Sequence, residues 1–170
     1  IIFTADQGLA IGHHGLMGKQ NLFDPSVRVP LMIVGPGVPK DKRIDTPVYL
    51  QDVMPTTLDL AGVEIPPHVE FRSLMPLIQG KRDRNYDAIY GAYLNLQRSI
   101  TKDGYKLLLY PKCKKALLFD LKKDPQEMHD LLEGNGPAAR RTAKALFAEL
   151  LKLQKQMDDT VDLTETFSFS

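Results

Sequence analysis

The chain has 170 residues, 43% of them hydrophobic, which is enough to bury one ordinary core and a second, smaller one. Its 22 lysine and arginine residues almost balance 21 acidic residues, so the net charge of +1 gives no reason to expect nucleic acid or a membrane surface as a partner. Cys113 is the single cysteine, which excludes an intrachain disulfide, and no apolar run approaches the roughly 20 residues that span a bilayer.

The chain opens with a β-prone apolar run, Ile1 to Thr4, that has no initiator methionine. This pattern predicts a buried parallel strand whose sheet partners lie upstream in a longer protein. Asp6 and Gln7 follow the strand directly. Because open α/β sheets build their sites at the carboxyl ends of their strands, we expect these two side chains at a functional site.

A glycine-rich stretch from Gly8 to Arg28 comes next. Loops longer than about 12 to 15 residues are usually functional or disordered, and the apolar residues in this one argue against disorder. Apolar runs bounded by turn residues then predict three regular elements. They are a buried strand over 29–34, a helix over 51–61 that ends at Gly62, and a short helix over 73–80.

The pattern becomes β-like after the charged segment 81–84. Strands are predicted over 88–93, 97–101, 105–110 and 116–121, with a hairpin turn at 102–104. Apolar residues at three- and four-residue spacing from Ala143 to Met157 predict one amphipathic helix that covers this antiparallel sheet. The tail, 158–170, has no period and is predicted to be an edge strand or a frayed end.

Asp6 and Gln7 are candidate metal ligands. They supply one carboxylate and one amide oxygen, which are hard ligands that suit Ca²⁺ or Mg²⁺ better than zinc. Calcium generally takes six to eight oxygens, so further carboxylates would have to come from another segment or from the substrate. An Asp-Gln-Gly sequence after a strand also fits an ordinary turn, and the residues alone do not decide between the two interpretations.

His13, His14 and Lys19 are candidate anion-binding residues in the glycine-rich stretch. A histidine donor and a lysine point charge would stabilise an oxygen of a sulfate or phosphate ester as its bond breaks. The alternative is that the histidines make loop hydrogen bonds and that Lys19 is a surface charge. Arg28 is equally open, since it can bind an anion or hold the loop to a carboxylate.

A series of motifs along the chain decides between these interpretations. They cover residues 3–8, 12–15, 18–24, 27–31, 52–62, 118–121 and 124–127. In order and spacing they resemble the type I sulfatases of the alkaline phosphatase superfamily. In that family a strand ends in Asp-Asn-Gly or Asp-His-Gly, a His-Gly pair and a Gly-Lys follow, and a Val-Arg-x-Pro strand begins. The downstream segments are similar to the family's Asp-x-x-Pro-Thr helix and its Asp-Pro-x-Glu signature.

The resemblance implies a fold and a division into domains. Residues 1–84 would be the C-terminal part of the α/β catalytic domain, with an alkaline-phosphatase-like mixed sheet. Residues 85–170 would be a C-terminal subdomain, in which a small antiparallel sheet is covered by a helix.

The resemblance also implies roles for the candidate residues. Asp6 would be a calcium ligand, and Gln7 would take the second ligand position, where the family usually has Asn or His. Calcium is preferred to magnesium. Lys19 would contact the sulfate and stabilise the leaving oxygen, with His14 beside it as a donor. The substrate would be a sulfated small molecule or a sulfated glycan.

Two parts that the family needs are not in this sequence. Its nucleophile is a formylglycine made within a Cys/Ser-x-Pro/Ala-x-Arg motif, and the residues after Cys113 do not match that motif. The formylglycine and the remaining calcium carboxylates would therefore belong to an N-terminal part of the same catalytic domain. We expect the 170 residues alone to lack turnover. The resemblance implies a periplasmic, secreted or lysosomal location.

Two alternatives stay open. One is a phosphonate or phosphate ester hydrolase of the same superfamily, which would share the metal site. The other is a noncatalytic binding or structural module whose loop simply holds an ion. Such a module has little reason to carry Lys19 together with Asp6 and Gln7.

Overall fold

The computed structural model describes residues 1–134 and 136–169. Its strands are β1 Ile2–Thr4, β2 Ala10–Ile11, β3 Met17–Gly18, β4 Leu31–Ile33, β5 Ile89–Tyr93, β6 Gln97–Lys102, β7 Tyr105–Tyr110 and β8 Lys115–Asp120. Its α-helices are α1 Asp24–Val27, α2 Val53–Leu60, α3 Met75–Ile78 and α4 Pro137–Gln156. Single 3-10 turns cover His13–Gly15, Leu50–Asp52 and Pro111–Cys113.

The described chain divides into two compact units. The first comprises Ile1–Asp6 and Pro30–Ile89, and the second comprises Gln7–Val29 and the residues from Tyr90 onward. The predicted boundary between residues 84 and 85 stays a prediction. Within the described ranges, no helix has both the length and the apolar character that crossing a bilayer requires.

In the first unit, β1 pairs with β4 in a two-stranded antiparallel sheet, with Phe3 opposite Met32. The prediction of a buried parallel strand at Ile1–Thr4 is therefore wrong. The residues between β1 and β4 form a hairpin and one short helical turn instead of the helical crossover that usually joins parallel strands. Phe3 and Met32 are 55% and 56% exposed.

The core of the first unit lies beside β4 and is built by α3. Leu74, Met75 and Ile78 are buried, and Leu31 and Ile33 of β4 pack against them. The predicted helices over 51–61 and 73–80 are found as α2 and α3, with shorter bounds. Pro55 and Pro76 lie in the first turns of α2 and α3, where the missing N–H of proline removes no hydrogen bond from the helix.

In the second unit, β5 to β8 form one antiparallel sheet in chain order. The predicted turn between β6 and β7 is confirmed. Asp103 and Gly104 both have positive φ angles, 53° and 86°, as a two-residue hairpin turn requires. The helix α4 packs on β6 and β7, so the predicted sheet and covering helix are also confirmed.

Over its described residues, 158–169, the tail after α4 is neither an edge strand nor a frayed end, so this prediction is wrong as well. Leu163 and Phe167 are buried, and Gln154 of α4 donates a hydrogen bond to the carbonyl of Val161 at 2.6 Å. Apolar residues without a regular period still bury surface when a loop folds back on a helix, and periodicity does not detect this arrangement.

Candidate functional site

The glycine-rich stretch is organised around α1, the single helical turn Asp24–Val27. Pro25 stands at the start of this turn, where its fixed φ favours the helix, and Ser26 is fully buried. Leu22 and Phe23, just before the turn, pack against Leu108 and Phe119 of the sheet. The sequence therefore fixes this part of the loop on one face of the β7–β8 pair.

Gln7 is held by the carbonyl of Ser26 in α1. Its Nε2 donates to that oxygen at 2.6 Å, and the backbone N–H of Gly8 donates to the same oxygen at 2.9 Å. Gly8 leaves no room for a side chain, because an added Cβ would lie 2.1 Å from the carbonyl oxygen of Pro25. Since the amide nitrogen of Gln7 is engaged, its Oε1 is the atom left to meet a cation.

His14 lies between Gln7 and α1 in sequence and stacks on Phe23. The ring centroids are 3.9 Å apart and the planes differ by 15°. His14 has a φ of 53°, a left-handed conformation that a histidine adopts only occasionally. Its Nε2 is buried and has no hydrogen-bond partner within the described residues. His13 is in edge contact with His14, at a centroid distance of 5.9 Å.

Lys19 and Arg28 differ in their contacts. Lys19 is exposed, and its ammonium makes no hydrogen bond or ion pair among the described residues. Its backbone N–H donates to Oε1 of Gln20 at 3.3 Å. Arg28 forms an ion pair with Asp24 at 3.5 Å, so of the two roles left open for Arg28, the structure shows the carboxylate contact.

Asp6 is exposed and ends the first segment of the first unit, while Gln7 begins the second unit. Across the described chain, no group of three or more His, Cys, Asp or Glu side chains has an arrangement that could hold a metal ion. One carboxylate and one oriented amide oxygen fit the ligand preference of calcium or magnesium. That these two residues bind calcium stays a prediction from the sequence.

Sequence reasoning did not single out a buried cluster of charges beneath the loop. Lys106 of β7 lies between two carboxylates, with its Nζ 2.6 Å from Oδ1 of Asp24 and 2.6 Å from Oε1 of Glu127. Burial raises the pKa of the Glu127 carboxyl above its ordinary value, although the Lys106 ammonium acts in the opposite direction. The available signal was a lysine inside the apolar run 105–110.

Cys113 is a free, exposed thiol at the end of the 3-10 turn after β7. It lies on the connection between two strands of the small sheet. The pKa of Tyr110, beside this turn, is raised to about 12 by burial and by the negative charge of Glu127.

Comparison with known families gives the class of this chain. The family model described as N-sulphoglucosamine sulphohydrolase, C-terminal, matches residues 12–156. The chain therefore belongs to this family of sulfatase C-terminal domains.

Two relatives show how much of a whole protein this family region represents. The choline-sulfatase of Rhizobium meliloti strain 1021 is 36% identical over 151 residues, which cover 85% of this chain and 29% of that protein. The N-acetylglucosamine-6-O-sulfatase of Bacteroides thetaiotaomicron is 30% identical over 183 aligned residues, which cover 99% of this chain and 32% of that protein. The chain thus spans about a third of the length of these relatives.

Solved structures share the fold. A Bacteroides thetaiotaomicron protein that is provisionally classed as a sulfatase matches 95% of this chain and 38% of its own, with a TM-score of 0.81 and 25% identity. The phosphonate monoester hydrolase of Agrobacterium radiobacter matches 92% of this chain and 35% of its own, with a TM-score of 0.75 and 25% identity. The predicted α/β fold of a sulfatase C-terminal portion is confirmed.

Proposed function

We propose that this chain is the C-terminal part of a sulfatase that hydrolyses sulfate esters with the help of a divalent metal ion. Membership of the sulfatase C-terminal family and the sulfatase relatives support the reaction class. The observation that carries the site is the Gln7 amide, whose nitrogen is bonded to Ser26 so that its oxygen remains for a cation.

In this proposal Asp6 and Gln7 are the two metal ligands that the chain contributes. Calcium is the preferred ion, because both donors are oxygens and the flexible coordination of calcium accepts ligands from several segments. When bound, the ion would act as a Lewis acid on a sulfate oxygen. The remaining ligands would come from the N-terminal part of the same catalytic domain, which would also carry the formylglycine nucleophile.

Lys19 would contact the sulfate group. Its ammonium is exposed and has no carboxylate partner among the described residues, so its positive charge is available to an anion. It would stabilise the negative charge that develops on the leaving oxygen as the ester bond breaks. His14, whose ring is fixed on Phe23, would serve as a hydrogen-bond donor to the sulfate or the substrate.

The substrate is proposed to be a sulfated small molecule or a sulfated glycan. The names of the two relatives, a choline-sulfatase and an N-acetylglucosamine-6-O-sulfatase, cover both classes.

A second candidate is hydrolysis of a phosphonate or phosphate ester. The structural match to a phosphonate monoester hydrolase favours it, because that protein shares the fold at 25% identity, the same value as for the sulfatase-classed structure. Lys19 and a metal ion would serve either anion, so the two reactions are separated only by measurement. A noncatalytic module is the third candidate, and it would leave Lys19 without a function.

The experiment uses the full-length gene product that contains these residues. Mass spectrometry gives its mass and identifies its nucleophile. Its turnover of a chromogenic aryl sulfate and of a phosphonate monoester is then measured with and without calcium. Lys19→Ala is expected to lower kcat on the sulfate ester about 100-fold or more, as removal of a transition-state donor does. Lys144→Ala, an exposed lysine on α4, is the matched control.

Sulfate turnover that depends on calcium and on Lys19 supports the proposal. Faster turnover of the phosphonate supports the second candidate. Absence of both activities and of divalent ion binding in the full-length protein supports the noncatalytic module.

A further inference from the structure

We propose that Lys106 and Glu127 are positioning residues for the metal ligand Gln7, which they hold through α1. This inference rests on the proposed function, because it assigns a task to the buried charges beneath the loop. All the residues that carry it belong to the second compact unit.

The first observation is the burial of the two charges. Lys106 is 2% exposed and Glu127 is 1% exposed. A buried ion pair is weak evidence for stability, because removing two charges from water costs about as much as their attraction returns. The pair Lys106–Glu127 therefore needs another explanation, and the fixed geometry that it gives to its neighbours is one.

The second observation is the way in which Glu127 and Lys106 hold Asp24 at the start of α1. Oε2 of Glu127 accepts a hydrogen bond from the backbone N–H of Asp24 at 2.7 Å. Nζ of Lys106 meets Oδ1 of Asp24 at 2.6 Å. Glu127, after β8, thus holds the backbone of Asp24, and Lys106 of β7 holds its side chain. These two contacts fix the position of α1 at its first residue.

The third observation is the connection from α1 to the ligand. The carbonyl of Ser26, two residues after Asp24, accepts hydrogen bonds from Nε2 of Gln7 and from the backbone N–H of Gly8. A movement of α1 would move this carbonyl and would release the Gln7 amide from its orientation. The path from Lys106 to Gln7 is therefore a short series of direct contacts.

Removal of the Lys106 charge is expected to move α1. In Lys106→Met, the carboxylates of Asp24 and Glu127 face each other without the ammonium between them, and at least one of them must become hydrated or protonated. Arg28 is itself exposed and pairs with Oδ2 of Asp24, and among the described residues it forms no ion pair with Glu127. The resulting repulsion acts on Asp24, which is the residue that anchors α1.

The same sheet offers a matched control. Arg98 of β6 is 3% exposed and is paired with Asp159, but neither residue contacts α1 or Gln7 in the described structure. Arg98→Met therefore removes a buried cation from the same sheet and destabilises the fold without touching the path to Gln7. A merely structural role for Lys106 predicts the same result for both variants.

The test compares wild type, Lys106→Met and Arg98→Met in the full-length protein, with calcium alone as the probe. Calcium affinity is measured by titration calorimetry, and hydrogen exchange is measured at the Gly8 amide. The reference is the Leu121 amide, which follows β8 and donates to the carbonyl of Gly104 at 2.8 Å. Lys106→Met is expected to weaken calcium binding about 10- to 100-fold and to expose the Gly8 amide selectively. Arg98→Met is expected to leave the calcium affinity and the Gly8 protection relative to Leu121 near wild type.

Two results would overturn the inference. One is a calcium affinity of Lys106→Met equal to that of wild type, and the other is equal loss of protection at Gly8 and Leu121. If wild type binds no calcium, the metal part of the proposed function fails, and hydrogen exchange alone then decides whether Lys106 positions the Gln7–Gly8 segment. The two failures are thus distinguishable.

Discussion

The guanidinium of Arg98 donates from Nη2 to Oδ1 of Asp159 at 2.9 Å and so joins β6 to the segment that follows α4. The hydroxyl of Tyr90 on β5 donates to the other oxygen of the same carboxylate. The tail is therefore fixed to two strands of the sheet by charged and polar contacts, in addition to the burial of Leu163 and Phe167.

This contact makes stability depend on pH. Burial by itself would raise the pKa of the Asp159 carboxyl, but hydrogen bonds from Arg98 and Tyr90 lower it well below its ordinary value of about 3.9. Below that ordinary value the unfolded state binds a proton that the folded state does not, so acid favours unfolding. The stabilisation by Asp159 is present above about pH 4 and is lost as the pH falls toward the folded-state pKa.

The expected result is a difference between wild type and Asp159→Asn that shrinks in acid. At pH 6 the variant leaves the Arg98 guanidinium buried without its anion and should lose about 3 kcal/mol of unfolding free energy. Urea unfolding of the full-length protein at pH 6 and near pH 3 measures the difference. Glu165→Gln, at an exposed residue of the tail whose side-chain carboxylate has no hydrogen bond or ion pair among the described residues, is the control. A difference that stays constant with pH would contradict this account.

The regular elements of the C-terminal half could be predicted because each has a strong local signal. The turn at Asp103–Gly104 needs two positive φ angles, and its residues permit them. The apolar period of α4 follows from one face packed on a sheet. The direction of β1 could not be predicted, because an apolar run of four residues fits a parallel and an antiparallel strand equally well.

The candidate site was predicted only in part. Asp6, Gln7, His14 and Lys19 were named from residue type and from resemblance, and their roles remain predictions. The support beneath them was missed, because Lys106 and Glu127 lie 21 residues apart and meet Asp24 only through the tertiary fold. A lysine in an apolar strand suggests a buried partner, but the sequence does not say which carboxylate it meets.

Gly8 is required by the close approach of the loop to α1. In Gly8→Ala the new methyl group would overlap the carbonyl oxygen of Pro25, so the segment must move away from α1. Overpacking of this kind costs about 1 to 3 kcal/mol, and here it would also break the contacts of Gly8 and Gln7 with Ser26. The unfolding free energy and the calcium affinity of the full-length protein are both expected to fall.

Gly35→Ala is the matched control for this substitution, because an added Cβ at Gly35 meets nothing within 4 Å and its φ is not in the left-handed range. It should leave both quantities near wild type. A Gly8→Ala protein with unchanged stability and calcium affinity would show that the loop tolerates displacement from α1.

The amide of Gln7 provides the most direct test of the metal site. Gln7→Leu removes the Oε1 proposed to bind the ion and the Nε2 that meets Ser26, while it keeps a side chain of similar size. The affinity of a site for calcium depends on the number of its oxygen ligands. The calcium affinity of the full-length protein should therefore fall at least about tenfold, as measured by calorimetry with calcium alone. Gln79→Leu, at an exposed glutamine after α3, should have no effect. An unchanged affinity in Gln7→Leu would remove Gln7 from the metal site. If Gln7→Leu leaves the calcium affinity unchanged while Gly8→Ala lowers it, the displaced Gly8 segment must act on a metal ligand other than Gln7.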